Sequence, residues 1–229
     1  METTKKARSY NVIILDKSGS MSSIARQAID GVNESLASIR SSQLRDTEQD
    51  NLVSLVAFCG CETRLIYDAV PIAEAKDINE NDYRPCCMTP LYDAVGTTLT
   101  RMRQVSKDEK CAVAVTIITD GYENASHEFT GQAVKKLIEE CRQQGWMIAY
   151  IGADHDVEAV AAQLAICNVM PFEKSIGGTK KMFEKERSSK FAWLRRMKIQ
   201  LTDESLSREE LLGAMRSTSS EYFDPDADK

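Results

Sequence analysis

Apolar residues fall in short unbroken runs separated by longer segments with helical spacing. Val12 to Leu15 is the first such run. Four apolar residues without alternation suit a strand buried on both faces of a parallel sheet, and the pattern predicts a strand over about 9–15. Ile24, Ala28, Val32, Leu36 and Ile39 then recur at helical spacing, predicting a helix over about 22–40, with Ser22 and Ser23 available to cap it. Leu52 to Cys59 and Glu62 to Val70 read as two strands joined tightly at Gly60, an antiparallel hairpin. Leu91, Val95, Leu99 and Met102 mark a helix over about 91–105, and Cys111 to Thr119 a central strand. Thr130 is placed to cap a helix reaching Gln144 that stops at Gly145. A strand at 146–151, a short helix at 154–164 and an edge strand at 166–172 complete the series. The alternation predicts an α/β fold: a doubly wound, mostly parallel six-stranded sheet with an antiparallel edge strand and helices on both faces.

Polar chemistry gathers where these strands end. Asp16 closes the first run, and Ser18 and Ser20 follow at alternate positions. Thr89 lies in the loop before the helix at 91, and Asp120 follows the central strand. Open α/β sheets bind ligands at the carboxyl ends of their strands. Hydroxyls and carboxylates are hard oxygen donors suited to Mg²⁺, Mn²⁺ or Ca²⁺. No Gly-x-Gly-x-x-Gly follows a strand and no P-loop is present, so no nucleotide is expected.

Asp16-x-Ser18-x-Ser20, Met88-Thr-Pro-Leu-Tyr-Asp-Ala-Val95 and the run ending Thr119-Asp120-Gly121, in that order, resemble the three motifs of the von Willebrand factor A family over about residues 8–172. The resemblance implies a Rossmann-like sheet with a metal-ion-dependent adhesion site. Its ligands would be Asp16, Ser18, Ser20, Thr89 and Asp120, the hydroxyls binding directly and the aspartates partly through water. It also implies an open coordination position for a partner's carboxylate. The rim would come from Met21, Met88, Tyr122, Glu123 and Asn124, with Cys87 beside them and Glu123 a possible competing ligand. Cys86-Cys87 stand where many relatives carry glycines. Relatives of this compact intracellular prokaryotic or phage type work beside AAA+ ATPases or operon-encoded partners.

Composition adds bounds. The 229 residues suffice for one domain with an appendage, and a net charge of −6 argues against a nucleic-acid partner. The polar start at 1–8 reads as a lead-in without a signal peptide, and no stretch approaches a membrane span, so a cytoplasmic protein is expected. Seven cysteines, among them Cys59, Cys111 and Cys141 within predicted elements, read as reduced thiols. Cys59-x-Cys61 and Cys86-Cys87 lack the usual Cys-x-x-Cys spacing, so zinc is not expected. Residues 9–172 form the expected domain. A basic extension at 173–216 carries Phe183, Phe191 and Trp193, and Ser207-Arg-Glu-Glu210 within it is a capping box. An acidic tail at 217–229 is expected to be disordered.

The function expected is therefore a divalent-cation-dependent module that docks an acidic residue of a protein partner and breaks no bond. Two rivals remain. A metal-dependent hydrolase or phosphatase would need more than the chain offers: a haloacid dehalogenase-like site requires a second Asp at position 18, which is Ser, and His127 and His155 lie in no catalytic motif. A scaffold would instead bind through the basic extension.

Overall fold

The computed structural model describes residues 6–45, 48–107 and 110–224. The order is β1 (Ala7–Asp16), a 3₁₀ segment (Gly19–Ile24), α1 (Ala25–Arg45), β2 (Gln49–Cys59), β3 (Glu62–Pro71), α2 (Leu91–Val105), β4 (Cys111–Thr119), α3 (Gly131–Gln143), β5 (Met147–Gly152), α4 (Val157–Gln163), β6 (Asn168–Pro171), α5 (Ile176–Thr202) and α6 (Arg208–Ser220). The six strands make one sheet in the order β3-β2-β1-β4-β5-β6. All neighbours are parallel except β2 and β3. The expected fold class is what forms.

Strand parity divides the core. Tyr10, Val12 and Ile14 of β1, with Val113, Val115 and Ile117 of β4, face α2, α3 and α4. Ile13 and Leu15 face α1 and the first half of α5. Ala7, Ala112, Ala114 and Ala149 face the second half of α5 and α6. Those alanines leave a hollow on the sheet, and the fully buried Trp193 fills it with Leu194 and Met197. Burying a large aromatic against small residues contributes several kcal/mol, roughly 25 cal/mol per Å² of apolar area.

Several expectations are corrected here. The first helix opens as the 3₁₀ segment, and neither Ser22 nor Ser23 caps it: the Ser22 hydroxyl donates to Gly19 O at 2.7 Å. Ser18 leads that segment in extended conformation, but its hydroxyl makes no cap bond and turns to Ser20. The lead-in is shorter than expected, because Ala7 N donates to Glu48 O at 3.0 Å and starts β1; residues 1–5 lie outside the described residues. The extension is packed on the domain, since α5 and α6 close one sheet face together with α1. Phe183 and Trp193 point inward, and Phe191 is 46% exposed. The Ser207–Glu210 capping box forms as its sequence predicts. The tail is ordered past Ser217: α6 continues to Ser220, and Tyr222 is buried with its hydroxyl 3.2 Å from Glu186 Oε1. Residues 225–229, the end of that tail, lie outside the described residues. Not every cysteine is a free thiol, because Cys61 and Cys87 form a disulfide.

The candidate metal-binding face

Asp16 ends β1, the strand between β2 and β4, so its carboxylate emerges at the carboxyl edge near the sheet centre. Parallel pairing of Leu15 with Ile118 sets Asp16 beside the end of β4. There Thr119 Oγ1 donates to Asp16 Oδ2 at 2.6 Å, while the Ser18 amide donates to Asp16 Oδ1 at 2.7 Å. Tyr83, fully buried in the loop after β3, donates its hydroxyl to the Asp16 carbonyl at 2.6 Å. Asp16 is thus held from three directions, and both its carboxylate oxygens already accept from the protein.

The turn after Asp16 carries the serines outward. Ser18 Oγ and Ser20 Oγ stand 3.0 Å apart, and Ser20 Oγ donates to Asp120 Oδ1 at 2.6 Å. Thr89 comes from a different loop. Its hydroxyl and that of Ser20 lie 3.7 and 3.9 Å from the point where a Cβ on Gly121 would sit, so Gly121 keeps the space between the three loops open. Asn124 Oδ1 accepts from Thr89 N at 2.8 Å, and Asn124 N donates to Thr89 O at 3.1 Å. Gly19 N donates to Cys87 O at 3.0 Å, tying the serine loop to the threonine loop. Asp16, Ser18, Ser20, Thr89 and Asp120 therefore converge from three loops, the first and last of which lie more than a hundred positions apart in the sequence.

Two buried carboxylates side by side are costly without a compensating cation. Burial raises the Asp16 carboxyl to about 6; the Thr119 and Ser18 donors pull the other way, and the Asp120 charge adds a smaller push upward. Asp120 Oδ2 is enclosed and meets no well-directed hydrogen-bond donor. The compensating charge comes from Lys174, between β6 and α5, whose ammonium approaches Asp120 Oδ2 at 2.7 Å and Asp154 Oδ2 at 3.2 Å. Burial works to lower the Lys174 pKa, but the two carboxylates outweigh it and the net shift is upward. Nothing in its local sequence marks Lys174; it reads as one of nine basic residues in the stretch 173–198. Only the return of the chain after β6 brings it to the site.

The donor set fits a hard divalent cation: three neutral hydroxyls and two carboxylates, one of which, Asp120, already draws the Lys174 ammonium. The expected rim is partly redrawn. Met88 and Tyr122 are exposed at 57% and 54% beside the cluster. Met21 is not on the rim, because the 3₁₀ segment turns it under itself into the core with Ile13 and Leu15. Glu123 is not free to compete for a cation. Its Oε1 accepts from Ala125 N and Ser126 N, and its Oε2 from Ser126 Oγ and from Tyr92 N in the first turn of α2. Asn124 braces Thr89. His155 places Nε2 3.0 Å from the Tyr150 hydroxyl and Nδ1 2.5 Å from Ala153 O, and its ring packs 5.1 Å from Tyr122.

No protein-family profile matches the sequence, and no curated protein does. Solved structures similar in shape do exist. Proximal thread matrix protein 1 from the mussel byssus matches at 13% identity with a TM-score of 0.56, over 78% of this chain and 45% of that one. A von Willebrand factor type A structure from Catenulispora acidiphila matches at 13% identity and 0.57, over 81% and 43%. The von Willebrand factor domain of the type V pili tip protein Mfa5 from Porphyromonas gingivalis matches at 10% identity and 0.56, over 81% and 96%. The chain spans less than half the length of the first two. The fold is that of a von Willebrand factor A domain, as the sequence motifs imply.

Proposed function

We propose that this chain is a protein-docking module that binds a carboxylate of its partner through a divalent cation, Mg²⁺ or its substitutes Mn²⁺ and Ca²⁺. One observation carries the reading: the oxygens of Ser18, Ser20 and Asp120 interlock at 3.0 and 2.6 Å with the Thr89 hydroxyl beside them, and the buried Asp120 Oδ2 already draws a cation, the Lys174 ammonium at 2.7 Å. In the reading, Ser18, Ser20 and Thr89 would hold the cation. Asp120 supplies charge, and Asp16, whose oxygens are already committed to Thr119 and Ser18, acts through water. A cation held by these residues would supply the attraction for a partner's carboxylate oxygen, with no covalent bond formed. Met88 and Tyr122 give the partner an apolar edge to rest on. Lys174 must leave Asp120 for the cation to enter.

The resemblance of the sequence motifs supports a cytoplasmic protein of the compact intracellular type, with a AAA+ ATPase or an operon-encoded protein as partner. Among the described residues, no helix is long and apolar enough to cross a membrane.

The test is a thermal melt of metal-stripped protein titrated with Mg²⁺, Mn²⁺ and Ca²⁺, beside Asp16→Ala. A ligand bound by the folded state alone raises stability by about 2.7 kcal/mol at a hundred times its Kd. The expected result is a dose-dependent rise in Tm that Asp16→Ala abolishes, with acetate, as carboxylate probe, tightening Mn²⁺ binding. A Tm indifferent to all three cations overturns the reading.

A further inference from the structure

A second cluster lies on the outer side of the threonine loop, built from sulfur instead of oxygen. Cys59 is the last residue of β2 and is buried; Cys61 begins the return into β3 and is exposed. Cys86 and Cys87 stand just before Met88 and Thr89. Gly60 N donates to Met88 O at 2.7 Å, and a Cβ on Gly60 would lie 3.1 Å from Met88 N. The glycine therefore lets the hairpin turn lie directly on the threonine loop. The result brings four sulfurs from two distant segments together. The Sγ atoms of Cys61, Cys86 and Cys87 all lie within 4.8 Å of one another, and Cys59 Sγ is 3.5 Å from Cys86 Sγ.

Those separations are close to what a tetrahedral thiolate site needs. With Zn–S bonds of about 2.3 Å, the sulfurs around one zinc stand roughly 3.8 Å apart. The backbone holds the cysteines from behind: Cys86 N donates to Lys17 O at 2.8 Å, and Cys87 O accepts from Gly19 N. Cys87 takes a left-handed backbone (φ 64), a conformation unfavourable for a side chain with a Cβ. The Lys17 side chain is 5% exposed and pairs with Glu62, the residue after Cys61, so an ion pair stands beside the sulfurs. Thiolate sulfur is soft and selects Zn²⁺ over Mg²⁺ or Ca²⁺, so this cluster and the oxygen cluster would sort different ions. Individually spaced as Cys-x-Cys and Cys-Cys, the four match no usual zinc spacing; the hairpin turn lying on the threonine loop supplies the match.

We propose that, with the Cys61–Cys87 disulfide reduced, Cys59, Cys61, Cys86 and Cys87 bind one Zn²⁺ as a thiolate clamp joining the β2–β3 turn to the loop that carries Thr89. Reduction breaks the S–S bond and forms two thiols. With a phosphine, the reductant leaves as its oxide, the oxygen coming from water; with a dithiol, it leaves as its own disulfide. Zinc then displaces the thiol protons to solvent as the Zn–S bonds form. Oxidised or zinc-loaded, the same cysteines tie the same two segments, two residues from Thr89. The clamp does not depend on a cation at the oxygen cluster.

The experiment uses the full chain, reduced with a phosphine until a denatured aliquot titrates all seven thiols, in excess Mg²⁺ to fill the oxygen cluster. Co²⁺ is the spectroscopic probe. The expected result is a thiolate-to-cobalt charge-transfer band that saturates at one equivalent and is displaced by one equivalent of Zn²⁺. Cys86→Ser and Cys61→Ser, both at exposed positions, should each weaken binding at least tenfold, with circular dichroism confirming the fold. Asp16→Ala should leave the band unchanged, which separates this site from the proposed adhesion site. Absence of the band with seven free thiols, an identical band in both serine variants, or its loss in Asp16→Ala would overturn the proposal.

Discussion

The Lys174 ammonium lies 2.7 Å from Asp120 Oδ2, inside the cluster of oxygens proposed to hold a divalent cation. The side chain of Asp120 is fully buried and that of Lys174 is 16% exposed, so the pair is poorly screened by solvent. Any entering cation must displace the ammonium, and the energy of that contact is subtracted from the cation's binding energy. Lys174→Met keeps the length of the side chain and removes its charge. It should tighten Mn²⁺ binding by roughly tenfold, about 1.4 kcal/mol, measured by isothermal titration. An unchanged Kd would mean that Lys174 and the cation do not share Asp120.

The Asp16 carboxyl sits at about 6 in the folded chain, raised mainly by burial, against about 3.9 for an unfolded aspartate. The folded state thus holds the proton more tightly than the unfolded state, and the stabilisation is complete below the unfolded value and lost as pH rises through 6. A difference of about two pH units corresponds to roughly 3 kcal/mol. Metal-stripped protein should melt higher at pH 5 than at pH 7.5, and Asp16→Asn should flatten that difference. The carboxylates lowered in the fold, such as Asp93 and Glu210, act in the opposite sense, and only as pH falls below the ordinary carboxylate range. A wild-type Tm that rises between pH 5 and 7.5 would contradict the assignment.

Gly31 on α1 lies directly under the Phe183 ring of α5, and a Cβ there would come 2.1 Å from Phe183 Cδ2. A buried ring cannot yield to a Cβ fixed on the helix as a flexible side-chain end would. Gly31→Ala should therefore destabilise the domain by about 1–3 kcal/mol despite alanine's better helix propensity. Adding Phe183→Leu should recover part of the loss. Urea denaturation of both variants checks this, and a neutral Gly31→Ala would show that α5 is not seated on α1 as described.

Lys190 and Glu186, one turn apart on α5, form an ion pair at 2.7 Å with side chains 3% and 2% exposed. Glu186 Oε1 also accepts from Thr116 Oγ1 at 3.1 Å and from the Tyr222 hydroxyl at 3.2 Å. Lys190→Met leaves a buried carboxylate without its cation and should cost about 3–5 kcal/mol. The double variant Lys190→Met, Glu186→Leu should be markedly more stable than the single one, because no uncompensated charge remains. Equal stabilities for the two would refute the coupling.

The sequence by itself determined the sheet and much of the candidate site. Val12–Leu15 and Cys111–Thr119 are apolar on both faces, and such runs have few places to lie except inside a parallel sheet. Asp16, Ser18, Ser20, Thr89 and Asp120 were legible because each stands at a strand end or before a helix, where local pattern fixes position. Tertiary structure alone decided what depends on segments distant in the chain. Met21 follows the serines yet turns into the core, and Glu123 adjoins the Asp120 loop yet is drawn to the amides that open α2. Trp193 and Phe183 lie in a basic extension whose sequence does not say where they pack; the alanine hollow of the sheet and Gly31 of α1 decide it. Lys174 and the four cysteines carry no local signal, because an ammonium 54 positions from Asp120, or sulfurs 26 positions apart, meet only when the closed chain sets their distances. Periodicity reports which face of an element is buried. It does not report which distant side chain completes a site, since that is set by the packing of elements against one another.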